Sequence, residues 1–391
     1  MQKSLNYEIV IIGAGASGLM LASLLQINPQ KICIIEAREK IGTKILVSGG
    51  GKCNITNKYL DASKYLGDEE FIKETLKNFG TKELLNFLKI HGLDTKIDER
   101  LVKGAYFCES SKKVLSCFSR LTEKIKLFLN TSVEDISYQD EKYHIKNSKN
   151  LDIRANKLII ASGSNAHFKD KDYEILTKIS YKFRLDIKPF VPALVGLGLQ
   201  KEQAWFKNLS GISLFAKLKI NNKILEGKLL FTHRGFSGPL ILNASLYWSK
   251  GFLEFDFLPK YILSEFYKKQ MLISKALPLP RRFLQEFLLS IGLEDKPLNK
   301  LNLEEKQKLE NLKSYTFAPA GNLGSLKAEV SKGGLNPKEL DFNFECKTQK
   351  NLFFLGEALD ITGQLGGYNL HFAFASAFKC SIFLSNILIK E

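Results

Sequence analysis

The sequence predicts an α/β fold in which the two ends of the chain build one mostly parallel sheet around inserted segments. Three observations favour this fold: a glycine-rich strand–turn–helix pattern near the N terminus, an apolar strand with paired glycines and a long apolar run near the C terminus, and a change of periodicity between them. The 391 residues suit two or three domains, and 45% apolar with 25% charged residues is typical of a globular protein.

The first element is a strand–turn–helix unit that is typical of dinucleotide binding. Residues 9–12 form a β-branched apolar run, as a strand buried on both faces requires, and Gly13, Gly15 and Gly18 follow in G-x-G-x-x-G spacing. The first glycine permits a tight turn, the second lets the backbone approach a pyrophosphate, and the third lets the helix pack on the strand. The next strand ends at Glu36, where an acid accepts the ribose 2′-hydroxyl.

This motif leaves the choice of dinucleotide open. Glu36 disfavours NADP, because a carboxylate repels a 2′-phosphate, whereas NAD and FAD both remain. A glycine turn in an unrelated strand–helix unit is the alternative, and the preceding strand and the following acid argue against it. The residues predicted to contact the nucleotide here are Gly13, Gly15, Ala16, Ser17, Gly18, Glu36 and Ala37.

The C-terminal segment predicts the strand and helix that complete the same domain. Residues 351–355 indicate a buried strand, and Gly366 and Gly367 precede an apolar run over 370–389. That run is about the length of a membrane span, but it carries a histidine, a lysine, an asparagine and three serines. We therefore expect a buried helix that docks on the nucleotide domain, and no membrane partner.

Periodicity predicts the elements between these ends. We expect one helix over 68–92 and another over 113–129. We also expect a small β-meander over 130–153 and a buried strand over 157–164 that ends in a glycine turn.

The pattern changes after Pro189, where short alternating segments indicate a β-rich insert that is interrupted by helical periodicity. The alternating segments are 214–220, 224–232 and 253–258. The predicted domains are a nucleotide-binding domain at 1–189 and 339–391, a β-barrel insert at 190–259 and 314–338, and a helical insert at 260–313.

Cysteine usage and charge limit the remaining function classes. Six cysteines lie scattered without a C-x-x-C pair, which predicts neither a disulfide framework nor a metal site and indicates reduced thiols in a cytoplasmic protein. The net charge is +16, yet only eight of the 57 basic residues are Arg. RNA or another polyanion suits this charge, but arginine is the better phosphate ligand and a lysine-rich composition has the same effect, so charge alone leaves nucleic-acid binding open.

Three longer strings carry a specific resemblance. They are KILVSGGGKCNITN at 44–57, FTHRGFSGP at 231–239, and GEALDITG with the following GGYN at 356–369. Together they resemble the BaiN/YhiN-type flavoprotein family, also labelled aminoacetone-oxidase-like. The resemblance covers essentially the whole chain.

The resemblance implies a glutathione-reductase-like FAD domain formed by both chain ends, with an inserted β-barrel and a helical domain inserted in that barrel. It implies non-covalent FAD, approached by backbone amides of the 49–51 glycine loop and by the N terminus of the last helix, with Asn369 on the ring carbonyls. A glycine turn that merely enters a packing helix is the alternative. The FAD contacts implied in this way are Lys44, Gly49, Gly50, Gly51, Cys53, Asn54, Val133, Ser162, Gly163, Gly356, Glu357, Gly366, Gly367, Tyr368 and Asn369.

Three residues are candidates for catalysis. Cys53 follows the glycine loop and is a candidate general acid, although a buried apolar thiol explains it equally well. His233 is a candidate proton donor and Arg234 a candidate ligand for an anionic substrate. Ordering of the turn before Gly235 is the alternative for both.

The expected function is that of an FAD-dependent oxidoreductase that reduces an activated C=C bond. Activities ascribed to the family include reduction of a uridine in ribosomal RNA to dihydrouridine and reduction of steroid-like enones, and the net charge favours RNA. A second G-x-G-x-x-G is absent from the sequence, so NAD(P)H is expected as a transient electron donor. The alternatives are a small-molecule ene-reductase or amine oxidase, and an FAD-containing RNA- or ribosome-binding module without turnover.

The chain departs from the family pattern in two places, which leaves the substrate open. FCES at 107–110 replaces a Phe-Pro pair, and NAHFKD at 165–170 replaces a glycine-rich stretch. The sequence also leaves the oligomeric state open. The basic residues expected to contact an RNA substrate are Lys52, Lys112, Lys113, Arg234, Arg281 and Arg282.

Overall fold

A computed structural model describes residues 4–99, 102–167 and 174–389. The chain forms two compact units, one that joins residues up to Val191 with residues from Glu329 onward, and one that spans Pro192–Ala328.

The helices and strands of the first unit begin with the N-terminal segment of the chain. They are β1 (Leu5–Ile12), α1 (Ala16–Leu24), β2 (Ile32–Ile35), α2 (Thr43–Val47), β3 (Asn54–Asn57), β4 (Tyr65–Leu66), α3 (Glu69–Leu76), α4 (Thr81–Ile90), β5 (Thr95–Ile97), β6 (Ala105–Cys108), α5 (Ser111–Leu121), β7 (Lys126–Phe128), β8 (Val133–Gln139), β9 (Lys142–Asn147), β10 (Ile153–Ile160), α6 (Glu174–Phe183) and β11 (Ile187–Ala193).

The second unit follows, and the chain then returns to the first. The second unit contains β12 (Leu197–Gly198), β13 (Ser213–Ile220), β14 (Lys223–Thr232), β15 (Gly235–Ser237), α7 (Gly238–Ala244), β16 (Leu253–Asp256), α8 (Ile273–Ala276), α9 (Arg281–Ser290), α10 (Leu303–Glu310) and β17 (Tyr315–Phe317). The returning segment contains β18 (Val330–Leu335), β19 (Leu352–Phe354), β20 (Thr362–Gly363) and α11 (Tyr368–Leu388).

Within the described residues, the first unit is built on a sheet with the strand order β7-β2-β1-β10-β9-β8, and β19 also pairs with β10. The pairings among β7, β2, β1, β10 and β19 are parallel, whereas β8 and β9 add an antiparallel edge. The β1 residues Ile9 to Ile12 are at most 5% exposed, as the unbroken apolar run predicted. The parallel β19 shows that the C-terminal segment completes the N-terminal sheet.

The last helix, α11, is a core helix of the first unit. By length and composition alone it is apolar enough to cross a membrane, yet 61% of its apolar window is buried inside the protein. It packs against α1 and against the 3-10 turn that follows β19. Its buried apolar side chains belong to the same core cluster as the strands of the parallel sheet, which explains why this helix is apolar.

Two predicted helices differ from the observed elements. The helix expected over 68–92 is two helices, because Gly80 stands between α3 and α4 and its N–H donates to the Glu83 carboxylate at 2.9 Å as a new helix start. The helix expected over 113–129 ends at Leu121, and residues Lys126–Phe128 instead form β7 beside β2. The free edge of the parallel sheet thus overrides the local helical periodicity.

The second unit consists of an antiparallel sheet and helices that share one hydrophobic core. Residues 192–328 are all described, and their strands follow the order β12-β15-β14-β13-β16-β17. Leucine and phenylalanine side chains form most of the core that the sheet shares with α8, α9 and α10. The fully buried aromatic side chains are Phe206, Phe231, Phe236, Phe255, Phe257, Phe283 and Phe287.

The unit boundaries fall at 191/192 and 328/329, whereas the sequence placed the second one near 338. The difference arises because β18, which the sequence assigned to the insert, pairs with β11 and belongs to the first unit. The strand pairings of the insert run as an open path from β12 to β17 through fully described residues. The division into barrel and helical domains stays a prediction.

Candidate functional site

The glycine turn after β1 forms a concave backbone surface at the start of α1. Gly13 has φ +105°, and a Cβ there would lie 2.4 Å from the Ala161 carbonyl oxygen. A Cβ on Gly18 would lie 2.0 Å from the Gly13 carbonyl oxygen, so helix and strand approach as the motif predicted. A Cβ on Gly15, in contrast, meets nothing within 4 Å. The open space at Gly15 therefore lies where the first N–H groups of α1 lack intrahelical partners, which suits a phosphate.

Glu36 closes the other side of this turn at the end of β2. Its carboxylate is buried and accepts hydrogen bonds from the Ala14 N–H at 2.7 Å and the Arg38 N–H at 3.1 Å. The chain after β7 returns beside it, since the Thr131 N–H donates to the Glu36 carbonyl at 3.0 Å. Glu36, Ala37 and the start of β8 at Val133 thus lie together, as the predicted nucleotide contacts require.

The second glycine loop is left-handed over three consecutive residues. Gly49, Gly50 and Gly51 have φ values of +56°, +63° and +87°. A Cβ on Gly50 or Gly51 meets nothing within 4 Å, so both face open space. The absence of side chains leaves room for a planar ligand beside this loop, and the implied contact of its amides with the flavin stays a prediction. Asn54 follows as the first residue of β3 and pairs with β6.

Cys53 does not occupy the position expected of a general acid. Its side chain is 0% exposed and belongs to the core cluster of the first unit. Burial raises the pKa of the thiol to about 11, although a hydrogen bond with Ser48 lowers it in part. A proton donor has to contact the substrate, so the structure contradicts this expectation and favours a buried, neutral thiol. The residue adopts φ +55°, a left-handed conformation that is uncommon for a residue other than glycine.

The motif after β19 contacts the N-terminal motif directly. Gly356 has φ +60°, and a Cβ there would lie 2.8 Å from the Ser17 hydroxyl oxygen in the first turn of α1. The Gly356 N–H donates to the Ser376 hydroxyl of α11 at 3.1 Å. The two chain ends therefore build one site, with Gly356 as the point where α1, β19 and α11 meet.

A partly buried polar network joins Lys44 to Glu357. The Lys44 ammonium lies 2.5 Å from Glu357 Oε2 and 3.1 Å from the Ser164 hydroxyl. Ser164 donates to Glu357 Oε1 at 2.7 Å, and the Ser331 N–H donates to the same oxygen at 3.0 Å. The predicted residues Lys44 and Glu357 thus bind each other. Ser164 and Ser331 were missed, and only the position of Ser164 just after the buried strand gave any sequence signal.

The segment after β10 contains a buried hydroxyl that a ligand could hydrogen-bond. The Ser162 hydroxyl oxygen is buried, and within the described part of the chain it has no hydrogen-bond partner. Gly163 beside it has φ +72°. Buried polar atoms are nearly always hydrogen-bonded, so this hydroxyl fits a bound cofactor. Asn165, at one of the departures from the family pattern, accepts from the Ser331 hydroxyl at 2.8 Å. Residues 168–170 of that departure lie outside the described residues.

The start of α11 is shaped by glycines and by Asn369. Gly366 and Gly367 have φ +120° and +93°, and a Cβ on Gly367 would lie 2.5 Å from the Thr56 carbonyl oxygen. Asn369 donates to the Gly363 carbonyl at 2.9 Å and accepts from the Gly363 N–H at 2.8 Å. The Asn369 side chain therefore closes the 363–369 turn, and its predicted contact with the ring carbonyls stays a prediction.

The helix N terminus itself remains suited to an anionic ring edge. Gly367 is the N-cap and carries no side chain, so the first N–H groups of the 21-residue α11 lack a capping partner there. The predicted residue Tyr368 is buried, and its carbonyl accepts from the Tyr65 hydroxyl at 2.9 Å. Tyr368 thus packs under the turn and orders it.

A buried histidine links β3 to α11. The two ring nitrogens of His371 lie 2.8 Å from the Thr56 hydroxyl and 2.9 Å from the Phe79 carbonyl oxygen. Burial lowers the pKa of His371 to about 4. The imidazole is therefore neutral at pH 7, donating to Phe79 and accepting from Thr56. The sequence did not predict this contact.

His233 and Arg234 lie in the turn between β14 and β15 of the second unit. Both are exposed, and the turn is held by Thr232, which donates to the Gly235 carbonyl at 3.0 Å and accepts from the Arg234 N–H at 3.3 Å. A Cβ on Gly235 would lie 2.0 Å from the Leu197 carbonyl oxygen, so only glycine fits. The turn presents both side chains to solvent, and their catalytic roles stay predictions.

The basic residues expected to contact RNA are exposed, and several already have protein partners. Lys52 lies 4.0 Å from Asp98, Lys113 pairs with Glu109, and Arg282 donates to the Asn208 carbonyl. Among the described residues, no group of three or more His, Cys, Asp or Glu side chains could hold a metal ion.

Known proteins place the chain in a family. A family model described as "HI0933-like protein Rossmann domain" matches residues 7–382. The chain belongs to this family. It is 30% identical to "Ribosomal RNA dihydrouridine synthase" of Escherichia coli (strain K12), over 96% of this chain and 97% of the relative. It is 29% identical to "3-dehydro-bile acid delta(4,6)-reductase" of Clostridium scindens, over 95% of this chain and 97% of the relative.

Solved structures show the same fold. One is a 3-ketosteroid-delta4-(5alpha)-dehydrogenase from Rhodococcus jostii RHA1, with a TM-score of 0.54, 14% identity and coverage of 98% of both chains. Another is E. coli quinol fumarate reductase FrdA, with a TM-score of 0.52, 13% identity and coverage of 99% of this chain and 71% of the other. Family and fold confirm the predicted Rossmann-type α/β class and the predicted class of enzyme, an FAD-dependent oxidoreductase.

Proposed function

We propose that the protein is an NAD(P)H-driven, FAD-dependent reductase that converts a uridine of ribosomal RNA to dihydrouridine in the cytoplasm. The observation that carries this proposal is similarity along essentially the whole chain to relatives named "Ribosomal RNA dihydrouridine synthase" from two organisms. The second, from Haemophilus influenzae, is 30% identical over 97% of this chain and 98% of the relative. The similarity spans both units, so it includes the insert as well as the nucleotide site.

The residues of the first unit fit FAD. The α1 start beside Gly15 suits the pyrophosphate, and Glu36 suits the ribose of the adenosine half. The buried Ser162 hydroxyl and the open face of the 49–51 loop offer polar contacts to the flavin half of FAD, near the N terminus of α11. When bound, FAD supplies hydride transfer to the substrate double bond.

Lys44 and Glu357 are positioning residues in this proposal. Glu357 accepts from Lys44, Ser164 and the Ser331 N–H, so one carboxylate ties α2, the segment after β10 and β18 to the turn after β19. Such a network holds these four segments in one geometry, because each of its polar groups is already hydrogen-bonded.

His233 is the proton donor that we propose, in place of Cys53. The Cys53 thiol is fully buried, whereas His233 is exposed on a rigid turn. The neighbouring Arg234 suits a phosphate of the RNA backbone, since its guanidinium binds phosphate oxygens in a bidentate manner. Replacement of His233 by Gln is expected to lower the rate of substrate reduction and to leave FAD binding unchanged.

The decisive experiment maps dihydrouridine in ribosomal RNA from cells with and without this gene. We expect one or more uridines to lose the modification in the deletion strain and to regain it with the intact gene. Complementation with the Glu36→Ala variant serves as the matched control, because it removes the acid that holds the ribose. Unchanged dihydrouridine in the deletion strain contradicts the proposal.

Reduction of a conjugated small-molecule enone is the second candidate. The Clostridium scindens relative, whose name is that of a bile acid reductase, favours it because it matches this chain over nearly the same length. NAD(P)H consumption by the purified protein with steroid-like enones, measured beside ribosomal RNA, separates the two. Retention of RNA without any turnover would instead indicate an RNA-binding module whose flavin is structural.

A further inference from the structure

The positive charge of the protein is concentrated in the second unit. Residues 192–328 contain 20 Lys and Arg against 11 Asp and Glu, so this third of the chain carries +9 of the net +16. The first unit spreads the remaining +7 over nearly twice as many residues. A lysine-rich composition alone predicts that the net positive charge is spread evenly along the chain. The excess of charge in the second unit instead indicates a polyanion-binding surface there.

An aromatic side chain lies exposed within this basic unit. Phe215 of β13 is 41% exposed, and the Lys260 ammonium lies 4.9 Å from the centre of its ring. Lys228 of β14 is directly opposite Phe215 in the antiparallel register. Proteins bind single-stranded nucleic acids with this combination of side chains: a base stacks on the aromatic ring, and the lysines contact the phosphates.

Lys260, which lies over this ring, also lines a groove along the loop after β16. It has a volume of about 430 Å³ and is lined by residues 259–264 together with Glu310 and Lys313. Tyr261 and Ile262 in this loop are 43% and 63% exposed. The volume falls in the range of small-ligand sites, so the groove is large enough for a nucleotide.

The loop that carries Lys260 and Tyr261 is held in place. The Lys313 ammonium donates to the Leu258 and Tyr261 carbonyls at 2.6 and 3.0 Å, and it lies 2.8 Å from the Asp256 carboxylate. Because the loop is fixed before any ligand arrives, little conformational entropy is lost on binding. Glu310, the acid of the groove, accepts from the Tyr267 hydroxyl at 2.9 Å.

We propose that Phe215, Lys228, Lys260 and Tyr261 form a docking surface for a single-stranded segment of RNA, with bases stacked on the two aromatic rings. This inference deepens the proposed function and rests on its RNA substrate. A protein partner fits less well, because protein interfaces are depleted in lysine, whereas single-stranded RNA sites combine lysine with exposed aromatic rings. The docking surface binds RNA and takes no part in the chemistry.

The test measures binding of a fluorescein-labelled, mixed-sequence oligoribonucleotide to the FAD-loaded, full-length protein by fluorescence anisotropy. Each of Phe215→Ala and Tyr261→Ala is expected to raise Kd by about fivefold or more, the effect of losing one stacked base. Lys260→Glu is expected to make the log–log salt dependence shallower by about 0.7, the slope of one phosphate contact.

Two matched variants serve as controls on the same unit. Ile224→Ala removes an apolar side chain of β14 that is 59% exposed, and Lys250→Glu reverses an exposed lysine in the turn before β16. Both are expected to change Kd by less than about twofold, as surface substitutions outside a binding site do. If Phe215→Ala and Tyr261→Ala behave like these controls, the inference is overturned, and a protein-docking role for the same surface becomes the better explanation.

The outcome for this surface is separable from that for the proposed function. Dihydrouridine that depends on the gene, together with unchanged RNA binding by the Phe215 and Tyr261 variants, refutes the docking surface alone. Weakened binding by these variants in a protein that forms no dihydrouridine supports the docking surface and refutes the proposed reaction.

Discussion

Acidification is expected to destabilise the first unit through His371, and the His371→Gln variant isolates this effect. The imidazole is fully buried between the Thr56 hydroxyl and the Phe79 carbonyl, 2.8 and 2.9 Å from its ring nitrogens. Both hydrogen bonds are formed by the neutral ring. A proton on His371 therefore brings a charge into a buried site that holds no carboxylate partner among these contacts.

The sign and size of the effect follow from the pKa of His371, which burial lowers from 6.5 to about 4. Between these values the unfolded chain binds a proton that the folded chain does not, so stability is complete above pH 6.5 and falls as the pH drops toward 4. From pH 8 to pH 5 the expected loss in the free energy of unfolding is about 2 kcal/mol, and it approaches about 3 kcal/mol below pH 4.

Urea unfolding of wild type and His371→Gln at pH 8 and pH 5 measures this difference. A glutamine amide accepts from Thr56 and donates to Phe79 as the neutral imidazole does, but it does not titrate. We expect wild type to lose about 2 kcal/mol more than the variant between the two pH values. Other titrating groups contribute equally to both proteins. Equal losses in the two proteins would show that the reasoning is wrong.

Four further substitutions test the cofactor site. Glu36→Ala should weaken FAD binding by about 1–3 kcal/mol, because a ribose hydroxyl loses its charged acceptor. Titration followed by flavin fluorescence measures the Kd for FAD, and an unchanged Kd contradicts the prediction. Gly15→Val should give folded protein without bound flavin, since the valine side chain enters open space at the phosphate end of α1. Gly13→Val should fail to fold, because its Cβ would lie 2.4 Å from the Ala161 carbonyl oxygen. Circular dichroism reports whether each variant folds, and the flavin absorption spectrum reports whether it binds FAD. Cys53→Ser should keep wild-type turnover, since the thiol is buried, and a loss of kcat with unchanged flavin content would restore Cys53 as the acid.

The glycine positions of the site followed from the sequence because their backbone leaves no choice of side chain. Gly13, Gly366 and Gly367 all have left-handed φ values, and added Cβ atoms would meet neighbouring backbone or side-chain atoms within 3 Å. Glu36 followed from its distance along the chain, because one strand–turn–helix–strand unit fixes where the second strand ends. These are local requirements, and a single sequence displays them.

The secondary structure was less fully determined where two elements compete for the same residues. Residues 126–128 have a helical neighbour in sequence, but β2 offers them a parallel edge, and they become β7. β18 follows the insert in sequence, but it pairs with β11 and joins the first unit. Local periodicity cannot show which free edge a segment will find.

The sequence by itself determined that both chain ends hold one dinucleotide, since turn glycines and a terminal acid are properties of the local chain. Only the tertiary structure decided which side chains meet. Thr56 and His371 are 315 residues apart, and Lys44 and Glu357 are 313 apart, yet each pair is in hydrogen-bond contact. The direction of the Cys53 thiol was decided in the same way. Such contacts depend on how strands register and helices pack, which spacing along one chain does not encode.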